Sequence, residues 1–333
     1  MTALGICVNP MSGRDVRRLA GRASNMTHEA KRDIVARIAT GADAVGVTDI
    51  YVTREPFQIA AAALDQLPLN ARVHVIEHRL RNDARDTEAS LDAYLAAGAR
   101  AFVSLGGDGT NRAIVRTLLS KPKAARDDVV LVPLSTGTNN VYPLLAEPTI
   151  AGLVAGLYAR GMAPLELTRR SKVLHVRLPG GAADVGLIDA VLLRRDHVGN
   201  LLPFDADKLG QLVLTRAEPD AVGMSPIGGY LDVVDADEDA GLVVHLGGDQ
   251  RLNAPLSPGL FGRVAIAGHH RLPFDTPVML SGPGVVALDG DRDHRLDAGA
   301  AASVTIRRDG PRVPDLAAVM RHASRIGIMA GLS

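Results

Sequence analysis

A cluster of small and acidic residues follows directly on an apolar stretch in the segment SLGGDGTNRAI. It comprises Gly106, Gly107, Asp108, Gly109 and Thr110. The backbone N–H groups of a glycine-rich turn that leads into a helix attract phosphate oxygens, because no side chains cover them and the helix dipole is positive at that end. We therefore predict a phosphate-binding turn in which Asp108 orients a hydroxyl group or holds a metal ion through its waters. The alternative is a tight turn in which Asp108 only caps the helix.

Two further loops, within VNPMSGR and PLSTGTNNVYP, also carry small residues, hydroxyls and side-chain amides. Each follows an apolar run that we predict to be a strand. The carboxyl ends of parallel strands lie at one edge of a sheet, where ligands of open α/β folds bind, so we expect the three loops to form one site. The P-loop and dinucleotide fingerprints are absent from these loops. The ligand-binding residues that they add are Asn9, Ser12, Gly13, Gly137, Thr138, Asn139 and Asn140.

The elements that must position these loops are short apolar strands that alternate with helical segments, a pattern typical of a Rossmann-like parallel sheet. The predicted strands are residues 4–8, 49–52, 73–76, 102–105 and 129–132. A helix is expected over residues 149–159. After it, short alternating runs broken by glycine, proline and aspartate predict a β-rich, sandwich-like region.

The last segment, VPDLAAVMRHASRIGIMAG, returns to helical spacing. We expect that helix to pack back on the first domain. The predicted organisation is an α/β domain over residues 1–147, a connecting helix over 148–163, a β-rich domain over 164–310 and the C-terminal helix over 311–333.

Composition argues against several classes of partner. Lysine plus arginine and aspartate plus glutamate each total 37, which disfavours a general attraction to nucleic acid or anionic membranes. No apolar window reaches membrane-spanning length, and the start of the sequence lacks a signal-peptide pattern. Cys7, the single cysteine, suits a reducing compartment and is expected in the core. We therefore expect a cytoplasmic protein without nucleic-acid or membrane partners.

Taken together, these motifs resemble the superfamily of kinases marked by GGDGT, which includes NAD kinases, diacylglycerol and sphingosine kinases and 6-phosphofructokinases. VNPMSGR resembles the NPxSG element of the lipid-kinase branch, and GTNN resembles its GTxND element. The whole pattern is most similar to the NAD-kinase-like acetoin catabolism protein X family. The resemblance implies a phosphoryl-transfer site between an α/β domain and a β-rich domain.

The resemblance also adds residues from the second half of the chain. Within VALDGDRDHRL, Asp291 occupies the place where lipid kinases carry an acidic residue. DAVGMSPIGGY resembles a hydroxyl-rich loop of NAD kinases and contributes Ser225. Asp189 is the nearest candidate for the acidic member of the Asn-Glu pair that binds ribose and adenine in NAD kinases, with isoleucine in place of the asparagine. Arg112 and an alanine stand where lipid kinases usually have Asn-Glu after GGDGT.

The implied reaction is transfer of a phosphoryl group from ATP to a hydroxyl group, with Mg²⁺ bridging the phosphates. The glycine-rich turn, with Asn9, Ser12 and Thr138, would hold the donor phosphates. Asp108 would accept the hydroxyl proton if the acceptor is a nucleotide ribose, and Asp291 if it is a lipid-like or small alcohol. The candidates for balancing phosphate charge are Arg14, Arg112 and Arg292.

We therefore expect an ATP-dependent kinase for a nucleotide or small molecule, NAD being the first candidate acceptor, with a connection to acetoin catabolism. Two alternatives stay open: a catalytically inactive nucleotide-binding regulator, and a diacylglycerol or other lipid kinase. The resemblance implies a homo-oligomer. No dedicated metal site made of side chains is predicted, since the adjacent His269 and His270 would point to opposite faces of a strand.

Overall fold

The first half of the chain forms a parallel sheet covered by helices. The computed structural model describes residues 2–14, 25–137, 140–328 and 330. Neighbouring strands of the sheet follow the order β3-β2-β1-β4-β5 and pair in parallel. The strands are β1 (Ala3–Val8), β2 (Asp49–Thr53), β3 (Arg72–Ile76), β4 (Ala101–Gly106) and β5 (Val130–Ser135). The prediction of five parallel strands is confirmed, and the largest difference is that β5 continues to Ser135.

Helices connect these strands, and local signals explain where several of them begin. The Thr27 hydroxyl accepts a hydrogen bond from the backbone of Ala30 and caps the first helix. Proline follows the capping residue Glu147 at the start of the helix over residues 148–159, which confirms the helix predicted there. The helices are α1 (His28–Ala44), α2 (Ile59–Leu64), α3 (Ala84–Ala96), α4 (Asp108–Ser120), α5 (Lys123–Arg126) and α6 (Pro148–Ala159).

The C-terminal segment returns to the first sheet, as expected, and also completes it. β17 (Arg312–Pro314) pairs in parallel with β5, and β6 (Thr168–Arg170) pairs antiparallel with β17, which gives seven strands. The helix α8 (Leu316–Arg325) buries Val319 and Ala323 in the core of the first half. The short strands β6 and β17 were not predicted, because three residues carry no readable periodicity.

The second half is a β-sandwich, as predicted. A six-stranded antiparallel sheet, in the order β12-β11-β10-β9-β14-β15, faces a four-stranded sheet, in the order β13-β16-β7-β8. Apolar side chains from both sheets fill the space between them, among them Val176, Leu192 and Val304. The strands are β7 (Val173–Arg177), β8 (Ala183–Gly186), β9 (Asp189–Leu193), β10 (Leu209–Leu214), β11 (Ala240–Ser257), β12 (Leu260–Pro273), β13 (Val278–Ser281), β14 (Gly284–Leu288), β15 (Asp291–Leu296) and β16 (Ala301–Arg307).

Short helical turns complete the described fold. The helix α7 (Ser225–Gly229) packs on the outer face of the six-stranded sheet through Ile227. The 3-10 turns are Leu165–Leu167, Pro179–Gly181 and Ala206–Lys208. Among the described residues, no helix combines the length and the apolar character that crossing a bilayer requires.

The loop after β1 is held in place by a buried lysine on α1. The Nζ atom of Lys31 donates to the backbone carbonyl oxygens of Asn9, Pro10 and Ser12, each at 2.8 Å. Its side chain is fully buried, and burying an ammonium group is costly unless such partners replace water. Because the loop wraps around this cation, the position of α1 fixes the position of the loop.

Lys31→Met should lower the free energy of unfolding by about 2–4 kcal/mol, because the carbonyl oxygens that the lysine satisfies would lose a buried donor. Urea denaturation measures this. The matched control is Arg37→Met on the same helix, whose half-exposed ion pair with Glu147 should contribute about 0–1 kcal/mol. An equal effect of both variants would contradict the role given to Lys31.

Candidate functional site

The three loops meet around one cavity of about 630 Å³. It opens at the carboxyl edge of the parallel sheet, and the turn before β15 closes one side, so both halves of the chain contribute. A volume in this range is typical of sites for small ligands and cofactors. The residues predicted from the sequence that line it are Asn9, Ser12, Gly13, Gly107, Asp108, Gly109, Thr110, Gly137, Asn140 and Asp291.

Other predicted residues lie elsewhere. Gly106 ends β4, where a Cβ atom would collide with the Thr110 side chain. The Ser225 hydroxyl is buried in the sandwich half and donates to the Arg216 carbonyl oxygen at 2.9 Å. Asp189 begins β9 and does not line the cavity. Thr138 and Asn139 lie outside the described residues. Ligand binding by these residues stays a prediction.

The side chain of Asn9 connects the first loop to the glycine-rich turn. Its Oδ1 accepts hydrogen bonds from the backbone N–H groups of Met11 at 2.9 Å and Ser12 at 3.2 Å. Its Nδ2 donates to Oγ1 of Thr110 at 2.8 Å. The hydroxyl of Ser12 lies 2.7 Å from that of Thr136, which follows β5. These bonds fix the three loops relative to one another.

Two glycines allow the glycine-rich turn and the loop after β5 to touch. A Cβ atom at Gly107 would lie 2.7 Å from Oδ1 of Asn140, and one at Gly137 would lie 2.9 Å from the Cα atom of Gly107. Both distances are shorter than real side chains tolerate. At Gly137 the close atom belongs to the backbone, so glycine is required there for close backbone approach, which agrees with the interpretation of the loops as compact turns.

Asp108 is buried at the start of α4 and binds the loop after β5. Its carboxylate accepts hydrogen bonds from the backbone N–H groups of Val141 at 3.2 Å and Tyr142 at 2.9 Å. Burial, and next the charge of Asp289, raise the pKa of Asp108 to about 7. The carboxyl group is thus poised to exchange a proton near neutral pH, and it also holds a loop of the cavity.

Asp289 is a cavity residue that the sequence analysis missed. Its carboxylate accepts hydrogen bonds from the backbone N–H groups of Leu187 at 2.8 Å, Ile188 at 2.8 Å and Asp189 at 3.2 Å. Burial raises the pKa of Asp289 above its ordinary value. The signal available in the sequence was the Asp289-Gly290 pair, because Asp-Gly is typical of a turn. Both residues adopt positive φ angles in the structure. Sequence reasoning gave weight only to the acidic residue after the glycine.

The predicted phosphate-neutralising arginines differ in their surroundings. Arg14 is exposed beside the cavity residue Gly13, and its Nη1 lies 2.6 Å from Nε2 of His28. Arg292 is buried and binds Asp196 at 2.9 Å together with loop carbonyl oxygens, so the structure argues against a phosphate role for it. Lys31, around which the loop after β1 wraps, is a further cation near the cavity. It was not predicted from the sequence.

Arg112 also binds other protein groups. Its guanidinium donates to the carbonyl oxygen of Leu288 at 2.9 Å, to Asp291 at 3.1 Å and to Asp293 at 2.9 Å. These contacts cross from α4 to the sandwich half. The guanidinium is therefore not directed at phosphates, which corrects the sequence-based candidate role.

One group of possible metal ligands occurs among the described residues. Atoms of Asp184, Asp293 and His294 lie within 4.8 Å of one another. Both carboxylates already pair with arginines, Asp184 with Arg116 at 2.8 Å and Asp293 with Arg112 at 2.9 Å. We interpret the group as an ion-pair network between the two halves.

The far wall of the cavity comes from the ends of β2 and β3 and was not predicted. Glu55 accepts hydrogen bonds from the backbone N–H groups of Phe57 at 2.8 Å and Ala60 at 3.1 Å. The ring of Phe57 is 45% exposed and contacts the ring of His28 at 4.3 Å between centroids. These residues follow strands that end at the same edge as the predicted loops. Their position after a strand was therefore the signal by which the sequence could have placed them at the cavity. They give the cavity an aromatic surface opposite the glycine-rich turn.

Cys7 lines the floor of the cavity but is buried among core residues. Burial raises the pKa of its thiol to about 12. The thiolate needed for nucleophilic chemistry is therefore scarce at neutral pH, in keeping with the core position expected for this residue.

Comparisons with known proteins show the family of this chain. Residues 172–309 match the family described as acetoin catabolism protein X C-terminal domain. The chain is 34% identical to acetoin catabolism protein X of Cupriavidus necator over 99% of its own length and 94% of that protein.

A solved structure shares the fold. Yeast NADH kinase complexed with NADH superposes with a TM-score of 0.55 at 13% identity, covering 98% of this chain and 87% of the kinase. A putative diacylglycerol kinase of Bacillus anthracis str. Sterne gives a TM-score of 0.49 at 11% identity, covering 96% and 98%. The fold is thus that of the NAD-kinase-like proteins, and the sequence match over the full chain is more specific. The chain belongs to the acetoin catabolism protein X family.

Proposed function

We propose that the protein is an ATP-dependent kinase that transfers a phosphoryl group to a hydroxyl group bound beside Asp108. The observation that carries the proposal is the buried Asp108 carboxyl, with a pKa raised to about 7, inside a glycine-rich turn at a helix N-terminus. Such a turn suits phosphate oxygens, and a carboxyl with this pKa suits removal of a proton from a hydroxyl. The fold shared with yeast NADH kinase supports the same class of reaction.

In this proposal the donor nucleotide binds across the cavity. The backbone N–H groups at Gly107 and Gly109 and the loop around Asn9 would bind its phosphates, with Arg14 balancing charge from the rim. The exposed ring of Phe57 offers a face on which a base can stack. Mg²⁺ would accompany the phosphates and neutralise their charge. The half-exposed carboxylate of Asp291 can contact its coordinated waters.

Asp108 is a better proton acceptor than Asp291. The Oδ2 atom of Asp291 already accepts a hydrogen bond from Arg112, so this atom is engaged when an acceptor hydroxyl binds. Asp108 is desolvated and lies near the buried Asp289, which raises the pKa of its carboxyl above the ordinary value. We therefore assign proton transfer to Asp108 and orientation of the acceptor to Asp291. This assignment includes a small-alcohol acceptor, for which the sequence had favoured Asp291 as the base.

A small alcohol is favoured over NAD as the acceptor. The two residues expected to contact a dinucleotide by analogy with NAD kinases, Asp189 and Ser225, do not line the cavity. One cavity must also accommodate both donor and acceptor. The Cupriavidus necator relative is named for acetoin catabolism, and acetoin carries a hydroxyl group, so this proposal includes acetoin or a related hydroxyketone among the first acceptors to test.

A regulatory nucleotide-binding protein is the second candidate. The observation that favours it is the engagement of Asp108 by the backbone N–H groups of Val141 and Tyr142, which a purely structural carboxylate would also show. In that case a nucleotide bound in the cavity would order the loop after β5, and no phosphoryl group would be transferred.

Asp108→Asn should lower turnover by about 10²- to 10⁴-fold, because the amide cannot accept the hydroxyl proton. The assay supplies ATP with acetoin, NAD, NADH or diacylglycerol, with and without Mg²⁺, and detects the phosphorylated product. The matched control is Asp49→Asn, a buried aspartate at the opposite edge of the same sheet, which should leave kcat unchanged. Nucleotide binding without product from any acceptor would instead support the regulatory candidate.

Turnover should also depend on pH near neutrality. Since the pKa of Asp108 is raised to about 7, the carboxyl is protonated below that pH, and kcat should fall about tenfold per pH unit on the acid side. Residual activity of Asp108→Asn should lack this acid limb. A flat profile of the native enzyme between pH values of about 5 and 8 would exclude Asp108 as the base.

A further inference from the structure

A buried arginine joins the glycine-rich helix to the sandwich half at the rim of the cavity. Arg112 lies one helical turn after Asp108 on α4, and its side chain is 5% exposed. Its Nη1 donates to the Leu288 carbonyl oxygen, and its Nη2 donates to the carboxylates of Asp291 and Asp293. Leu288 and Asp291 stand on either side of the Asp-Gly turn between β14 and β15. One guanidinium therefore braces both ends of that turn.

This contact determines where one carboxylate lies. The Oδ2 atom of Asp291 is bonded to Arg112 and lies 3.2 Å from the point where a Cβ atom of Gly109 would be. The carboxylate thus stands directly over the glycine-rich turn. The Asp291 side chain is 44% exposed, and the bond to Arg112 restricts its choice of rotamers.

We propose that Arg112 is a positioning residue that fixes the carboxylate of Asp291 over Gly109, where it orients the acceptor. The proposal rests on the kinase function proposed above and assigns a role to a residue at which this chain departs from the lipid kinases. A planar fork of donors can bind two carboxylates and a carbonyl oxygen at once, whereas lysine presents a point charge. Arg112 itself lies outside the cavity lining and acts through Asp291.

The same helix provides a matched control one turn further on. Arg116 also crosses to the sandwich half, where it binds Asp184 at 2.8 Å, and it reaches Glu88 of α3 at 3.2 Å. Like Arg112, it therefore contributes to the contact between the halves. Its ion pairs lead to Asp184 and Glu88 rather than to the Asp-Gly turn, so an Arg116 variant tests a general docking role separately from a positioning role.

The first experiment is a double-mutant cycle on turnover in the intact chain. Arg112→Met should lower kcat by about 10- to 100-fold, because a displacement on the order of 1 Å at a reacting group costs this much. KM for ATP should change less than kcat. Combining Arg112→Met with Asp291→Asn should cost little more than Asp291→Asn alone, since both remove the same oriented carboxylate.

Arg116→Met should leave kcat within about threefold, and its effect should add to that of Asp291→Asn. Additive effects of Arg112→Met and Asp291→Asn, or equal losses from Arg112→Met and Arg116→Met, would overturn the proposal. If Arg112→Met does not fold, Arg112→Lys serves the same purpose, because lysine keeps the charge and cannot reproduce the fork.

The second experiment needs no turnover. In crystals of Arg112→Met or Arg112→Lys, the Asp291 carboxylate should leave its place over Gly109, while in crystals of Arg116→Met it should stay. An unmoved carboxylate in the Arg112 variants would overturn the proposal whether or not the protein is a kinase. Absence of product from native protein with every acceptor would instead contradict the proposed function, so the two failures are distinguishable.

Discussion

The site depends on buried charged side chains that bond backbone groups of opposite polarity. Lys31 binds three carbonyl oxygens of the loop after β1, and Asp108 binds two N–H groups of the loop after β5. Asp289 binds three N–H groups at the start of β9 and just before it. Burying an ion is costly unless such partners are in place. The described residues of these segments are therefore held in place by bonds within the protein itself, before any ligand binds.

Much of the fold could be predicted from the sequence because its signals are local. The alternation of short apolar strands with helices predicted the parallel sheet, and the change of periodicity near residue 165 predicted the sandwich. The placement of Asn9, Gly107 and Asp108 around one cavity followed from a general property of parallel sheets, whose strands end at one edge. No long-range contact had to be known for these conclusions.

The rest of the site could not be predicted because it depends on pairs of residues far apart in the chain. Lys31 looks like an ordinary exposed residue of an amphipathic helix, and only its contacts with Asn9 and Ser12 show otherwise. Arg112 and Asp291 are separated by 179 residues. The dinucleotide contacts expected at Asp189 and Ser225 were carried over from a resemblance, and residue type alone does not show where a side chain points.

The seven-stranded sheet has a consequence for how the chain acquires its structure during synthesis. β17 inserts between β5 and β6, and Val319 of α8 is fully buried in the first core. The α/β half is therefore complete only after residues 312–323 have left the ribosome, although β1 to β5 are made before the sandwich. The usual order, in which one domain is finished before the next one is made, cannot apply to this half, because β17 and α8 are synthesised after the sandwich.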